Sequence, residues 1–131
     1  MSMKSRGTDA ERELLRKIWS TGTYAAMRSP GSGSTTFPSP DIILGSRERK
    51  IVLECKVTKD SRKYFTKAEI AQLKEFAEKF GAEAYVAIKF LGEGWYFMSL
   101  DDLKETTKEY VASVDMVKRT GMILDELLNS S

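Results

Sequence analysis

The first apolar pattern of the chain is that of an amphipathic helix. In residues 8–22, TDAERELLRKIWSTG, apolar side chains recur every three or four positions and form one stripe. Thr8 or Asp9 is suited to the N-cap of this helix, and Gly22 is suited to ending it. The stripe that we predict to face the core consists of Leu14, Leu15, Ile18 and Trp19.

A second helix is predicted over residues 66–81, TKAEIAQLKEFAEKFG. Thr66 and Glu69 have the spacing of a capping box, in which each side chain bonds the backbone N–H of the other. Gly81 follows as the residue that ends the helix. The apolar stripe consists of Ile70, Leu73, Phe76, Ala77 and Phe80.

Five segments have the length and the β-branched or aromatic content that is typical of strands. In chain order they are TYAAMRS (23–29), DIILG (41–45), KIVLECKV (50–57), AEAYVAIKF (82–90) and GWYFMSL (94–100). The polar turn SRER joins the second and third segments as a hairpin, whereas TKDSRKYF (58–65) is interpreted as a connection and PGSGSTTFPSP (30–40) as a loop. This order predicts an α/β fold with a central mixed β-sheet of about five strands flanked by helices.

The 131 residues are interpreted as a single domain, 1–131, with a core over 6–100 and an acidic helical extension over 101–131. The segment DMVKRTGMILDELLNSS in that extension predicts a third helix, with Gly121 as a weak point inside it. Three roles remain open for the extension: it packs a dimer, contacts another protein, or covers the sheet.

Composition narrows the chemistry that this domain can perform. The chain has no histidine and one cysteine, which argues against a zinc site and excludes an intramolecular disulfide and nucleophile pairs that use histidine. Any hydrolysis must therefore use carboxylates, lysine and a hard metal ion. The single cysteine fits a reducing intracellular setting, and no apolar run approaches the roughly 20 residues of a membrane helix. We therefore expect an intracellular, cytoplasmic protein without membrane contact.

Charge is distributed unevenly along the chain. Residues 1–90 carry 17 Lys and Arg against 11 Asp and Glu, a net charge of +6, whereas residues 91–131 carry 4 against 8, a net charge of −4. Basic clusters of this kind are typical of proteins that bind polyanions, although a merely solvated surface gives the same count. Within the basic segment 56–67, Arg62 and Lys63 are candidate DNA contacts.

The strand 50–57 carries a carboxylate and an ammonium, Glu54 and Lys56, inside an otherwise apolar pattern. Because side chains alternate on a strand, Glu54 and Lys56 share one face with Val52. The hairpin brings Asp41, at the start of the preceding strand, beside Glu54, and two converging carboxylates favour Mg²⁺ or Mn²⁺ between them. The acid-x-Lys pattern alone is weak, since it also occurs at Glu48 and Asp102. The alternative is a solvent-facing Glu54–Lys56 pair that contributes little to stability.

At these residues the sequence resembles the PD-(D/E)xK nuclease superfamily, which has the restriction-endonuclease-like fold. More narrowly, it resembles archaeal Holliday junction resolvases over roughly residues 6–100. The blocks that carry the resemblance, in order, are AERELLRKI, MRSPGSG, PDIIL, LECKVT and QLKEFAEKFGAEAYVAIKF with GWYF.

The resemblance implies a metal-dependent active site and a DNA-binding loop. The implied catalytic residues are Glu11, Asp41, Glu54, Lys56 and, in the loop, Ser32, with Glu11, Asp41 and Glu54 as the metal ligands. The implied DNA contacts are Arg12, Arg28, Ser29, Gly31, Ser34 and Thr35. Cys55 is interpreted as a small core residue rather than a reactive thiol.

The implied function is a Mg²⁺-dependent endonuclease, with Mn²⁺ able to substitute, that acts as a homodimer on four-way junction DNA and leaves 5′-phosphate ends. Phe76, Phe80, Trp95, Tyr96 and Phe97 are candidates for the dimer interface or for core packing. Two alternatives remain open: a nuclease of the same fold for duplex or other branched DNA, and a DNA-binding subunit without catalysis. The resemblance also implies an archaeal or archaeal-virus origin.

Overall fold

The computed structural model describes residues 3–29 and 37–130, with side chains from residue 6 onward. Its helices are α1 Met3–Ser20, α2 Lys67–Phe80, α3 Val114–Thr120 and α4 Leu124–Asn129, with a 3₁₀ turn at Leu100–Asp102. Its strands are β1 Ala25–Arg28, β2 Ile42–Gly45, β3 Lys50–Thr58, β4 Arg62–Thr66, β5 Glu83–Phe90, β6 Gly94–Ser99, β7 Lys104–Glu105 and β8 Glu109–Ser113. No helix in these two ranges is both long and apolar enough to cross a bilayer.

The main sheet has five strands in the order β1-β2-β3-β5-β6, which confirms the predicted mixed sheet flanked by helices. The pairing of β3 with β5 is parallel, and α2 lies in the connection between these strands. The pairs β1–β2, β2–β3 and β5–β6 are antiparallel. The predicted hairpin is present, with Ile42 opposite Leu53.

Helix α1 starts earlier than the sequence predicts. Thr8 and Asp9 lie inside a helix that begins at Met3, so neither is its N-cap. No proline precedes them, and Gly7 alone costs a helix only about 1 kcal/mol, so the helix continues backwards through these positions. Leu14 and Ile18 are buried as predicted, whereas Trp19 is exposed and donates its indole N–H to the Ala26 carbonyl at 2.9 Å.

The prediction of a connection over residues 58–65 is wrong, because β4 (Arg62–Thr66) begins inside it. This strand pairs with β8, and β8 pairs with β7, in a second sheet of three strands. The sequence pattern did not indicate this strand, because it begins with two charged residues, Arg62 and Lys63, and Phe65 is its one buried side chain. The aromatic pair Tyr64–Phe65 was the signal that could have identified it.

The C-terminal helix predicted as one element is two short helices separated near Gly121. A Cβ atom at Gly121 would lie 2.6 Å from the Val117 carbonyl oxygen, so the close backbone approach requires glycine. Met122 then exchanges two hydrogen bonds with Phe97 of β6, at 2.8 and 2.9 Å. The pairing of Met122 with the sheet explains why the helix does not continue.

Two hydrophobic clusters cover the two faces of the main sheet. The first cluster joins α1 and α4 to the sheet and contains Leu14, Ile18, Ile51, Leu53, Cys55, Phe97 and Leu127. The second joins α2, α3 and the small sheet and contains Val52, Phe65, Ile70, Leu73, Val86, Ala112 and Val117. Residues beyond position 100 therefore contribute to both faces of the core.

Candidate active site

Strand β3 directs the side chains of Glu54 and Lys56 to the face of the sheet on which α2 packs. Its residues Ile51, Leu53 and Cys55 face the first cluster, whereas Val52 packs in the second cluster with α2. The alternation predicted for Glu54 and Lys56 is therefore confirmed. Their side chains are 17% and 27% exposed, which does not fit a solvent-facing pair.

Asp41 lies immediately before β2 and is bonded to β3. Its backbone N–H donates to the Leu53 carbonyl at 2.9 Å, which continues the antiparallel register to the position opposite Glu54. Its Oδ2 accepts a hydrogen bond from the backbone N–H of Cys55 at 2.7 Å. Asp41 is thus held against the stretch of β3 that carries Glu54 and Lys56.

Glu11 and Arg28 form an ion pair beside this stretch. The Nε atom of Arg28 donates to Oε1 of Glu11 at 2.8 Å, and both side chains are largely buried. Arg28 ends β1 opposite Ile42, the residue that follows Asp41. The pair therefore joins α1 to β1, and β1 pairs with β2 next to Asp41.

The site contains more carboxylates than the protein's own cations can keep ionised at neutral pH. Burial, and then the nearby charge of Asp41, raise the pKa of Glu54 to about 8, because Lys56 offsets only part of this effect. Burial also raises the pKa of Glu11, although the hydrogen bond from Arg28 opposes it. At neutral pH, an additional positive charge would stabilise the ionised form of these carboxylates.

Lys56 makes its shortest ion pair with an acid that sequence reasoning did not assign to the site. Its ammonium lies 2.6 Å from Oε2 of Glu69 and 3.8 Å from Oε2 of Glu54. Burial lowers the pKa of Lys56, but the hydrogen bond to Glu69 and the acidic neighbours more than offset it, so the net shift is upward. Lys56 is therefore an ammonium at neutral pH. The sequence indicated Glu69 only as a helix-capping residue.

The predicted DNA contacts lie at several distances from these acids. Ser29 donates its backbone N–H to the Asp41 carbonyl at 2.9 Å, and its hydroxyl is hydrogen-bonded to that of Ser39 at 2.9 Å. Arg12 is exposed on α1, where its Nη1 atom lies 4.0 Å from Oδ1 of Asp9, and Arg62 and Lys63 lie on β4. The remaining predicted loop residues, Gly31, Ser32, Ser34 and Thr35, lie outside the described residues.

The carboxylate oxygens of Glu11, Asp41 and Glu54 are the kind of ligand that a hard divalent cation prefers. Within residues 3–29 and 37–130, no three Asp, Glu or Cys side chains are arranged as a ready-made metal site. Glu11 is directed to Arg28, and one oxygen of Asp41 is directed to a backbone N–H. Asp41 and Glu54 are therefore the acids that the fold holds closest to the role of metal ligands.

A family model for archaeal Holliday junction resolvases (Hjc) matches residues 2–131, which extends the resemblance beyond residues 6–100. Among curated proteins, the crossover junction endodeoxyribonuclease Hjc of Archaeoglobus fulgidus is 43% identical over 108 residues, which cover 82% of this chain and 79% of the relative. The Hjc protein of Sulfolobus acidocaldarius is 34% identical over 131 residues, which cover 98% of this chain and 90% of the relative.

A solved structure leads to the same conclusion. The structure of Archaeoglobus fulgidus Hjc, a Holliday junction resolvase from an archaeal hyperthermophile, superposes with a TM-score of 0.86 at 34% sequence identity. The superposition covers 96% of this chain and 98% of the other. The fold, the order of the sequence blocks and the match over nearly the whole length agree, and the chain belongs to the archaeal Holliday junction resolvase family.

Proposed function

We propose that this protein is a divalent-metal-dependent endonuclease that resolves four-way DNA junctions as a homodimer. The observation that carries the proposal is the convergence of Asp41, Glu54 and Lys56 at one stretch of β3, where burial and Asp41 raise the pKa of Glu54 to about 8. Carboxylates with raised pKa values beside a fixed ammonium are typical of functional sites. Chromosomal DNA as the substrate would place the protein in the cytoplasm.

Asp41 and Glu54 would hold the metal ion, with Glu11 as the third candidate ligand. Mg²⁺ suits this set because it prefers carboxylate oxygens and keeps several waters, and Mn²⁺ would substitute. When bound, the ion would supply Lewis-acid activation of water and phosphate. Glu11 lies in the same electrostatic environment, because burial and the charge of Asp41 raise its pKa more than Arg28 lowers it.

The chain's own cations would bind and orient the phosphate. Lys56, as an ammonium, donates protons rather than accepting them, so its role would be to neutralise charge that develops on the phosphate. Arg28, held by Glu11 at 2.8 Å, would place a second cation beside it. Ser29, bonded to the Asp41 backbone, would position the start of the loop that contains Ser32.

The basic strand β4 would extend the DNA-binding surface. Arg62 is exposed and Lys63 is half-buried on this strand, which leads directly into α2 and Glu69. Long basic side chains in this position contact phosphates without reading sequence, which suits a protein that recognises the shape of a branch. Binding of this kind weakens steeply as salt increases.

The dimer is supported by an exposed apolar surface on the other side of α2. Phe80 is 40% exposed and Met27 is 60% exposed, and grooves on either side of Phe80 are lined by Phe76 and by Ile43. A second copy is the occupant that a two-fold junction requires, because paired cuts need two related sites. By contrast, Trp95 and Phe97 are buried in the core and are poor candidates for the interface.

The dimer is tested by Phe80→Glu, with Glu78→Gln on the exposed side of the same helix as the control. We expect Phe80→Glu to sediment as a monomer and to lose the paired cuts, because a charge would enter the apolar surface. Glu78→Gln should remain dimeric. A dimer that persists unchanged in Phe80→Glu would place the interface elsewhere.

The activity is tested with an immobile four-way junction whose strands are labelled separately, compared with linear duplex of the same sequence. In Mg²⁺ we expect symmetric cuts in two opposing strands of the junction and little cutting of the duplex. Without divalent metal, we expect binding but no cuts. Equal cutting of both substrates would support a general nuclease of the same fold, and binding without cutting in any metal would support a non-catalytic subunit.

A further inference from the structure

The position of Lys56 is determined by a residue on a different element. The ammonium is 2.6 Å from Glu69 of α2, whereas it is 3.8 Å from Glu54, two residues away on its own strand. At 2.6 Å the contact with Glu69 is a charge-assisted hydrogen bond, and the contact with Glu54 is a longer ion pair. The lysine is thus drawn towards α2 rather than onto the acid that we propose as a metal ligand.

Glu69 is itself held at both carboxylate oxygens. Its Oε1 accepts the backbone N–H of Thr66 at 2.9 Å, and Oε2 accepts Lys56. Its own backbone N–H donates to the Thr66 hydroxyl at 3.0 Å, which completes the capping box. The carboxylate also lies in the first turn of α2, where the helix dipole favours a negative charge. Glu69 is therefore a rigid anchor.

A lysine side chain needs such an anchor because its four-carbon stem is flexible and its ammonium bonds in any direction. Without Glu69, the nearest acids are Glu54 and Asp41, whose charges act on Lys56. An ammonium that moved onto these acids would compete with a cation for the same oxygens. An acid placed outside the ligand set avoids this competition and leaves the ammonium in a defined place.

We propose that Glu69 is a positioning residue for catalysis. It holds the Lys56 ammonium where it can contact the phosphate and keeps it away from the metal-ligand carboxylates. The inference rests on the proposed function, because it assigns Glu69 a role in the same site. The competing explanation is that Glu69 serves only to cap α2. The two explanations differ in which variants lose turnover.

The test compares Glu69→Gln with Thr66→Ala. Glutamine at this position retains the capping box, since its side-chain oxygen still accepts the Thr66 N–H, but the negative charge is lost. Alanine at position 66 removes the hydroxyl that accepts the Glu69 N–H, whereas the backbone N–H that contacts the carboxylate remains. One variant therefore removes the anchor of Lys56, and the other removes part of the helix cap.

For Glu69→Gln we expect the single-turnover cleavage rate of a bound junction to fall about 10- to 100-fold, the range found when groups that orient site residues are changed. The Kd for the junction and the melting temperature should be nearly unchanged. For Thr66→Ala we expect a lower melting temperature and a nearly unchanged cleavage rate. Glu69→Asp, which keeps the charge on a shorter side chain, should be intermediate in rate.

Coupling to Lys56 provides an independent measurement. In a Lys56→Met background, Glu69→Gln should produce little further loss of rate, because both changes remove the same interaction. The inference is overturned if Glu69→Gln cuts at the normal rate, if its defect lies in the Kd, or if Thr66→Ala loses as much rate. A wild-type protein that cuts no junction would instead overturn the proposed function.

Discussion

Strand β3 has partly buried charges at two places, at its start beside Arg49 and at its middle around Glu54, and the protein neutralises only the first of them. Arg49, just before β3, donates from Nε and Nη2 to the two oxygens of Glu83, at 2.7 and 2.8 Å. Its Nη1 donates to the carbonyls of Leu127 and Ser130, at 2.7 and 2.6 Å. The hydrogen bond from Arg49 lowers the pKa of Glu83, opposite to the shift at Glu54.

The Arg49 cluster stabilises the fold, whereas the Glu54 cluster is suited to binding a ligand. At Arg49, one cation is matched by a bidentate carboxylate and by carbonyls at the end of α4, so the cluster attaches the C-terminal segment to the sheet. At Glu54, the carboxylates share too few cations, and the ionised form is disfavoured. An unneutralised cluster destabilises the free protein and is retained where a ligand supplies the missing charge.

The largest expected effect is the loss of cleavage in Glu54→Gln. Removing one proposed metal ligand should lower the cleavage rate in Mg²⁺ by more than about a hundredfold, because the ion and its water are no longer held. Junction binding, measured by gel shift, should persist. The matched control is Glu48→Gln, which changes an acid two residues before a lysine in an exposed turn and should cut normally. Unchanged cleavage by Glu54→Gln would remove this carboxylate from the site.

The second prediction concerns pH in metal-free solution. Since the pKa of Glu54 is about 8 in the folded chain and about 4.5 unfolded, the folded state keeps this proton more tightly. Stability from this group is therefore complete below pH 4.5 and is lost as pH rises towards 8. Relative to Glu54→Gln, wild type should lose on the order of 4 kcal/mol across this window, measured by urea unfolding. A flat difference would show that Glu54 is not perturbed.

The third prediction tests the charge cluster at the start of β3. Arg49→Met should destabilise the fold by about 2 kcal/mol, because it leaves Glu83 and two carbonyls without their partner, and Glu83 is exposed enough for water to replace part of the loss. Cleavage per folded molecule should be unchanged. The control is Arg47→Met, an exposed neighbour in the same turn, which should unfold like wild type. A loss of turnover in folded Arg49→Met would show that the Arg49 cluster is coupled to the candidate site.

The smallest expected effect is that of Tyr24→Phe. The Tyr24 hydroxyl donates to the Leu128 carbonyl at 3.4 Å and accepts from Arg49 at 3.4 Å, both long for hydrogen bonds. Its removal should therefore lower the free energy of unfolding by only about 0.5 kcal/mol. Chemical denaturation of Tyr24→Phe and of Arg49→Met under the same conditions compares the two losses of unfolding free energy. An equal loss in the two variants would mean that the hydroxyl, rather than the guanidinium, organises this end.

The local sequence pattern was sufficient to predict most helices and strands of the main sheet. The alternation in β3 assigned Glu54 and Lys56 to one face, and the Thr66–Glu69 spacing identified the start of α2, because both depend on residues a few positions apart. The predictions were wrong where residues distant in the sequence determine the secondary structure. Strand β4 exists because β8 pairs with it, and the break at Gly121 exists because Met122 pairs with β6.

The candidate site divides in the same way. The sequence by itself determined that a carboxylate and an ammonium share an apolar strand beside a second acid, since strand geometry and a short hairpin require it. Only the tertiary structure decided that Glu11 bonds Arg28, that Lys56 bonds Glu69 and that Arg49 bonds Glu83. These pairs join residues 13 to 34 positions apart, and packing and strand register, which no local pattern encodes, bring them together.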